Sequence, residues 1–468
     1  MLTPDKMHDY QRKAVNHQLS HEASAMFMGL GLGKTIVTLT SAEFMLRSGY
    51  LKAVLIVAPI RVCRLVWRQE SARWEHTKDL TFSMVMGTVD QRTRALLRPA
   101  NVYLINYDNL QWIAEALHTY YVSKGKPLPF DGVVFDELSL CKNSTTNRVK
   151  ALRKILPSFK WRTGLTGTPA SNGYRDLHGE FLVLDDGKRL GTSKTAFMTR
   201  FYRKDGFKYT PYHDTESQIT HLISDITLEL SSDDYIKMPD LIINDIKCEL
   251  PPEVRKMYNK LEKDYFIQLD SGSDVEVFNA GSLTNKLLQI ACGCVYPIAG
   301  MPMWEPVHAA KMEALEDIIE ECSGEPILLA YTFRSDAERI LKHFHKLDPI
   351  NLTDCKSERS LNDAMLRWEN GDCPLMIGHS ASMSHGIDGL QRRGNTLVEY
   401  GQNWSLDLTK QFRGRLRRQG QGRPVTCHRI LCTDTMEDAQ VIALSEKDDT
   451  ETSLRKAIKE YRERKNNS

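Results

Sequence analysis

Ala25-Met-Phe-Met-Gly-Leu-Gly-Leu-Gly-Lys-Thr-Ile-Val-Thr-Leu39 has the pattern of a strand, a tight glycine turn and a helix. Four apolar residues run into alternating glycines, and an apolar, helix-compatible segment follows Lys34 and Thr35. Glycines let the backbone turn so that several N–H groups point inward, and a helix starting at Lys34 adds the positive end of its dipole to the same spot. Gly29, Gly31 and Gly33 would therefore cradle a polyphosphate. Lys34 would reach the outer phosphates as a point charge, and the Thr35 hydroxyl would ligate magnesium. The usual phosphate-loop pattern, G-x-x-x-x-G-K-T, has a glycine where this chain has Met28.

Outward from this stretch, short apolar β-rich runs alternate with longer helix-patterned segments, as in α/β proteins with parallel sheets. The strand candidates are Ala53–Ala58, Val102–Ile105 and Gly132–Phe135 in the first half, and Ile327–Ala330, Leu375–Ile377, Thr396–Tyr400 and Thr426–Leu431 in the second. Between the groups, Thr210 to Trp304 is more polar and irregular, and reads as an interdomain crossing followed by helices. The 468 residues suffice for two or three domains of about 150 residues. One strand ends in two acids, Val133-Val-Phe-Asp-Glu137. Asp136 could bind the same magnesium ion, and Glu137 could orient or deprotonate an attacking water. Adjacent carboxylates repel each other unless a cation is near.

Composition narrows the classes. Lys+Arg at 62 against Asp+Glu at 60 leaves a formal charge of +2, so this is no polycation held to phosphate by bulk charge. No apolar run approaches the roughly 18 residues of a membrane span, and the polar start Met1-Leu-Thr-Pro-Asp-Lys6 lacks the core of a secretory signal, which points to the cytoplasm. Cysteines are sparse and scattered; a single C-x-C pair, Cys292 and Cys294, is a poor zinc site.

Further motifs make the sequence similar to superfamily 2 helicases, and most closely to Swi/Snf-type helicase-like ATPases. His8-Asp-Tyr-Gln11 resembles the family's adenine-reading element, with Tyr10 and Gln11 in its key positions. Val57-Ala-Pro59 with Trp67, Glu70 and Trp74 resembles a strand, proline and W-x-x-E helix. Asn106-Tyr107, the box Asp136-Glu-Leu-Ser139, and Lys142-Asn143 follow in the family's order. Leu165-Thr-Gly-Thr-Pro-Ala-Ser-Asn172 matches L-T-G-T-P-x-x-N nearly throughout. Gln411-Phe-Arg-Gly-Arg-Leu-Arg-Arg-Gln-Gly-Gln421 resembles Q-x-x-G-R-x-x-R-x-G-Q. Ser384-His-Gly-Ile-Asp-Gly-Leu-Gln391 resembles G-x-G-L-N-L-Q, with Asp388 where Asn is usual. Lys311 resembles the family's Gly-Lys position, with a phosphate or DNA role.

The resemblance implies two tandem RecA-like lobes, each a mostly parallel sheet flanked by helices, with an ATP cleft between them. The N-terminal lobe would span 1–236 and the C-terminal lobe 237–448, with a helical insertion at about 253–303 and a basic tail at 449–468. It further implies an ATPase stimulated by DNA that moves along DNA, duplex most of all. Lys34, Asp136, Glu137, Arg415 and Arg418 would be catalytic, Gln411 would help bind nucleotide, and ATP and Mg2+ would be used. By motif position, Arg61, Asn106, Lys142, Asn143, Ser171, Thr332, Arg334 and Ser380 are candidates for nucleic-acid contact. The bare two-lobe size resembles compact bacterial or phage forms, at work in a bacterial or infected host cell with a loading, replication or recombination partner. A strand-separating DNA or RNA helicase and a nucleotide-gated scaffold that does not hydrolyse remain alternatives. From Gln411 to Pro424 there are five arginines and no acids, so positive charge is local where the whole chain is nearly neutral.

Overall fold

The structure, a computed structural model, describes residues 1–167, 169, 173–205, 208–235, 238–271, 274–297, 303–383 and 387–445. The chain divides into two compact units, Met1–Lys237 and Met238–Ser468. The tail at 449–468 lies outside the described residues.

The first unit is built on nine strands: β1 (Ala23–Met28), β2 (Val54–Ala58), β3 (Phe82–Met84), β4 (Val102–Asn106), β5 (Gly132–Asp136), β6 (Trp161–Thr166), the pair β7 (Tyr202–Asp205) and β8 (Lys208–Pro211), and β9 (Thr227–Leu230). Seven form one sheet in the order β3-β4-β2-β5-β6-β1-β9, and every pairing in it is parallel. Strands β2 and β4 are buried at every residue, because helical crossovers cover both faces of a parallel sheet; this is why they read as unbroken apolar runs. β7 and β8 form a separate antiparallel hairpin.

The second unit carries β10 (Leu241–Cys248), a small ladder of β11 (Cys294–Val295) and β12 (Glu305–Pro306), and β13 (Ile327–Tyr331), β14 (Ile350–Asn351), β15 (Leu375–His379), β16 (Thr396–Glu399) and β17 (Val425–Cys432). Its six-stranded sheet runs β10-β17-β16-β13-β15-β14, again parallel throughout. Each unit is thus a parallel sheet flanked by helices, the RecA-like architecture. Two long helices, Pro252–Ser271 and Asp274–Ala291, follow β10.

All seven strands expected from the sequence are present, with ends shifted by one or two residues. The polar segment after Thr210 differs from its reading as a crossing and helices alone, because it also contributes β9 and β10. Both are edge strands; with one side open, they carry no continuous apolar run. In β10, Ile242 and Ile243 are exposed.

No described helix is long and apolar enough to cross a membrane.

Candidate nucleotide site and phosphate loop

In a parallel sheet the loops after the carboxyl ends of the strands gather on one edge. Here β1 leads into the glycine loop and β5 ends at Asp136, and the sheet order places only β6 between them. The two loops are therefore about two strand spacings, roughly 10 Å, apart.

The glycines have structural reasons. Gly31 and Gly33 hold φ of 82° and 79°, and Gly33 in its left-handed conformation caps the helix Lys34–Arg47. At Gly29 the constraint is proximity: a Cβ would lie 2.1 Å from Ser232 Oγ, whose hydroxyl donates to Leu30 O at 2.8 Å. Lys34 is the first residue of the helix. Its ammonium donates to Met28 O at 2.8 Å and Gly29 O at 3.2 Å, so it folds over the loop where an anion would be held. Thr35, next in the first turn, is partly buried.

A buried polar network fixes this helix to the sheet. Gln18 Nε2 donates to Thr38 Oγ1 and Thr163 Oγ1, both at 3.1 Å, and Ser41 Oγ donates to Gln18 Oε1 at 2.7 Å. Gln11 is equally occupied. Its Oε1 accepts from the His8 N–H at 2.9 Å, and its Nε2 donates to Leu32 O at 3.2 Å. The amide proposed to read adenine therefore also ties the first helix to the glycine loop. Tyr10 is buried, its ring between His8 at 5.2 Å and Tyr235 at 4.9 Å.

Asp136 and Glu137 are set by a different device. Glu137 sits at φ 65°, a left-handed conformation that costs a non-glycine residue about 1–2 kcal/mol. Such strain concentrates at functional sites. The Tyr107 hydroxyl, from the loop after β4, donates to Asp136 O at 3.1 Å and Glu137 O at 3.2 Å, which fixes the strained turn. Glu137 Oε1 then accepts from Ser139 Oγ at 2.7 Å and Thr166 Oγ1 at 3.4 Å. Asp136 Oδ2 accepts from Trp67 Nε1 at 3.1 Å. Burial first, and the neighbouring Glu137 second, push the Asp136 carboxyl up to about 7, against the pull of Lys34 and the Trp67 bond.

This donor set fits a hard divalent cation. A buried carboxylate pushed up by burial and by an adjacent acid is what a cation would relieve, and such ions commonly take one or two carboxylates with the rest from substrate oxygens and water. Among the described residues no cluster of three or more His, Cys, Asp or Glu could hold a metal by itself, so a cation here would also draw on the Thr35 hydroxyl and the substrate.

In the second unit, Gln411 lies on the helix Leu406–Arg413, buried, and its Nε2 donates to Asp407 Oδ2 at 3.1 Å. Arg413 makes a paired bond to Glu399 at 2.8 and 3.0 Å. Arg415 Nη1 donates to Ile387 O at 2.6 Å. Arg418 Nη1 pairs with Asp388 Oδ1 at 3.0 Å, the residue that stands where the resembled motif has Asn.

The nucleic-acid candidates scatter in their settings. Lys142 lies 3.8 Å from Asp176, and Asn143 Oδ1 accepts from the Thr145 backbone and hydroxyl. Arg61 lies near the start of the helix Ile60–Arg73, and Arg334 is an exposed cation paired with Glu338. Thr332 Oγ1 donates to Gln402 O at 3.4 Å. Asn106 and Ser380 are each 5% exposed: the Asn106 amide is engaged by Asp108 and Asn109, and Ser380 Oγ accepts from Asn403, so both shape their own loops. Ser171 lies outside the described residues, as do Thr168, Ala170 and Asn172 of the same motif and residues 384–386 of the segment before Asp388. Lys311 turns inward, 1% exposed, and donates to Tyr400 O, Ile430 O and Glu437 Oε1.

The supports Tyr107, Ser139 and Ser232 had no assigned role at the nucleotide site in the sequence, whereas Thr166 belongs to the L-T-G-T-P motif. The signal present was polar residues inside apolar elements, such as Ser24 in β1 and Thr163 in β6, which bond each other at 2.9 Å.

The family described as SNF2-related domain matches residues 10–294 of this chain. The chain belongs to that family. Among relatives of this SNF2-family protein, "Putative protein p41" of Acyrthosiphon pisum secondary endosymbiont phage 1 is 35% identical over 448 residues, covering 92% of this chain and 93% of that protein. An uncharacterized ATP-dependent helicase of Mycoplasma genitalium is 25% identical over 423 residues, covering 87% of this chain and 38% of that protein. The chain thus spans nearly the whole phage protein but well under half of the mycoplasma helicase. A solved Sulfolobus solfataricus SWI2/SNF2 ATPase core in complex with dsDNA is similar at 22% identity and a TM-score of 0.44, covering 94% of this chain and 91% of that one.

Proposed function

We propose that this SNF2-family protein hydrolyses ATP and uses the cycle to move along duplex DNA. The observation that carries the reading is the pairing, on one sheet edge, of a lysine-bearing glycine loop with an acid pair whose second member is held in a strained turn. Family membership and the ATP-dependent helicases among the relatives support the ATPase part. The dsDNA bound to the Sulfolobus core motivates the choice of duplex as the track to test first.

In this reading Lys34 draws the outer phosphates onto the loop, exchanging its contacts to Met28 O and Gly29 O for phosphate oxygens. Gly29, Gly31 and Gly33 allow the backbone N–H groups to follow it. Glu137 orients the attacking water and accepts its proton, its carboxylate aimed by Ser139 and Thr166. Thr35 and Asp136 would hold Mg2+, which when bound neutralises phosphate charge and restores Asp136 to its ionised form. Tyr10 and Gln11 receive the adenine, while Gln411, Arg415 and Arg418 of the lobe proposed to span 237–448 stabilise charge on the transferring phosphoryl. The proposed first lobe spans 1–236. Arg61, Lys142, Asn143, Thr332 and Arg334 are proposed to touch the track through phosphates, as a sequence-tolerant motor requires.

The deciding experiment is the ATPase rate titrated separately with duplex DNA, single-stranded DNA and RNA. Duplex DNA is expected to raise turnover at least about tenfold, roughly 1.4 kcal/mol of barrier. A rate unchanged by saturating duplex overturns the translocase reading, and stimulation by RNA alone replaces the track.

A further inference from the structure

The first unit carries a second concave site away from the glycine loop. It is a cavity of about 800 Å³, within the range of sites that take whole small ligands. Its walls are Lys142 and Asn143, the helix Lys194–Phe201, and the β7–β8 hairpin. Besides Lys142, four cations line it: Arg175, Lys194, Arg203 and Lys204. None of the four makes an ion pair among the described residues, and the one acid in the lining, Asp176, stands 3.8 Å from Lys142. Crowding unneutralised cations around one hollow costs repulsion that a polyanion removes, with release of its counterions.

Aromatic side chains stand among these charges. Tyr209 and Tyr212 line the same cavity and are 40% and 45% exposed. Tyr209 lies directly opposite Lys204 in the hairpin register. Cations beside open aromatic faces suit a strand whose phosphates follow the charge while its bases stack on the rings. In a closed duplex the bases are already stacked on one another, and the two rings would gain nothing from them.

We propose that this groove binds an unpaired nucleic-acid strand, its phosphates on Arg175, Lys194, Arg203 and Lys204 and a base on Tyr209 and Tyr212. This goes beyond movement along duplex DNA and rests on that reading only in supposing that the chain meets nucleic acid. The site would engage a single-stranded tail or an opened junction beside the duplex.

The test is fluorescence anisotropy of the full chain, without nucleotide, on a short labelled single strand and on the blunt duplex of the same sequence. Tyr209→Ala with Tyr212→Ala is expected to weaken single-strand binding by about tenfold or more, with under about a twofold change on the duplex. Tyr209→Phe with Tyr212→Phe keeps the rings and should restore wild-type binding. Arg203→Ala with Lys204→Ala should lower the slope of log affinity against log salt on the single strand by about 1.4, at roughly 0.7 for each phosphate contact. Alanine variants that leave single-strand binding intact, or that weaken both ligands equally without rescue by Phe, overturn the proposal, as does an unchanged salt slope. A wild-type chain that binds neither ligand overturns the nucleic-acid reading itself; wild-type binding untouched by all four changes overturns only the groove.

Discussion

Two lysines near the starts of helices, one in each unit, lead opposite lives. Lys34 is partly exposed and spends its ammonium on two carbonyls of the glycine loop, while the carboxyl of Asp136 nearby is pushed up by burial and by Glu137. Lys311 is sealed in the second unit, with a carboxylate and two backbone carbonyls around its ammonium. Its charge is fully matched by the fold. Position at a helix start therefore does not by itself make a lysine a phosphate ligand; the partly exposed Lys34 is proposed for that role, and the sealed Lys311 is not. Unmatched charge costs stability and is worth keeping only where a ligand completes it.

The contrast breaks most visibly at Lys34. Lys34→Ala is expected to cut ATP turnover on the order of 10³-fold or more. Its folding stability should shift by no more than about 1 kcal/mol, because alanine is a good helix former and Lys34 is only partly buried. Phosphate release and urea denaturation on the same preparation check both halves. Turnover surviving the change would mean the phosphate site is misassigned.

Arg418→Ala tests the corresponding charge on the second unit. A guanidinium acting on a transferring phosphoryl is worth roughly 10³-fold in turnover, so the variant should lose about that much while binding a fluorescent ATP analogue within about threefold of wild type. Equal losses in binding and turnover would make Arg418 an ordinary binding residue.

Lys311→Ala should do the reverse of Lys34→Ala. Removing one partner of a buried pair strands the other, and Glu437 is itself 1% exposed, so the expected loss is about 3 kcal/mol of stability. A urea midpoint equal to that of wild type would show that the pair contributes nothing to the fold.

These cases also mark what could be read in the sequence. The glycine loop was legible because its conformation is written into adjacent residues, and central strands such as β2 and β4 because burial on both faces leaves mainly apolar residues, whereas β6, central but interrupted by Arg162, Thr163 and Thr166, was not. Strands β9 and β10 were not, since an edge strand needs few apolar positions. Lys311 shows the limit of motif position, because its fate depends on Glu437, 126 residues away. Some supports of the nucleotide site are remote too: Trp67 reaches Asp136 across 69 residues, and Ser232 bears on the glycine loop across 202. Local patterns specify loops and strand ends, whereas the partner of a buried polar group is fixed by the packing of elements far apart in the chain.

Asp388 is the smallest test and the sharpest for the second unit. The carboxylate is 57% exposed and pairs with Arg418 at 3.0 Å, so water and salt screen the bond and its worth is about 1 kcal/mol or less. If Arg418 must leave Asp388 before it can meet a phosphate, the pair is a modest restraint that each turnover overcomes. Asp388→Asn, which keeps the shape and removes the charge, should then raise turnover by no more than about fivefold at low salt. The gain should shrink as ionic strength rises, because the wild-type pair weakens under the same screening. If Asp388 instead aims Arg418 toward the phosphate, the same substitution lowers turnover, and salt lowers the wild-type rate toward that of the variant. The sign of one substitution at two salt concentrations thus separates a guanidinium held back by its own unit from one held ready by it.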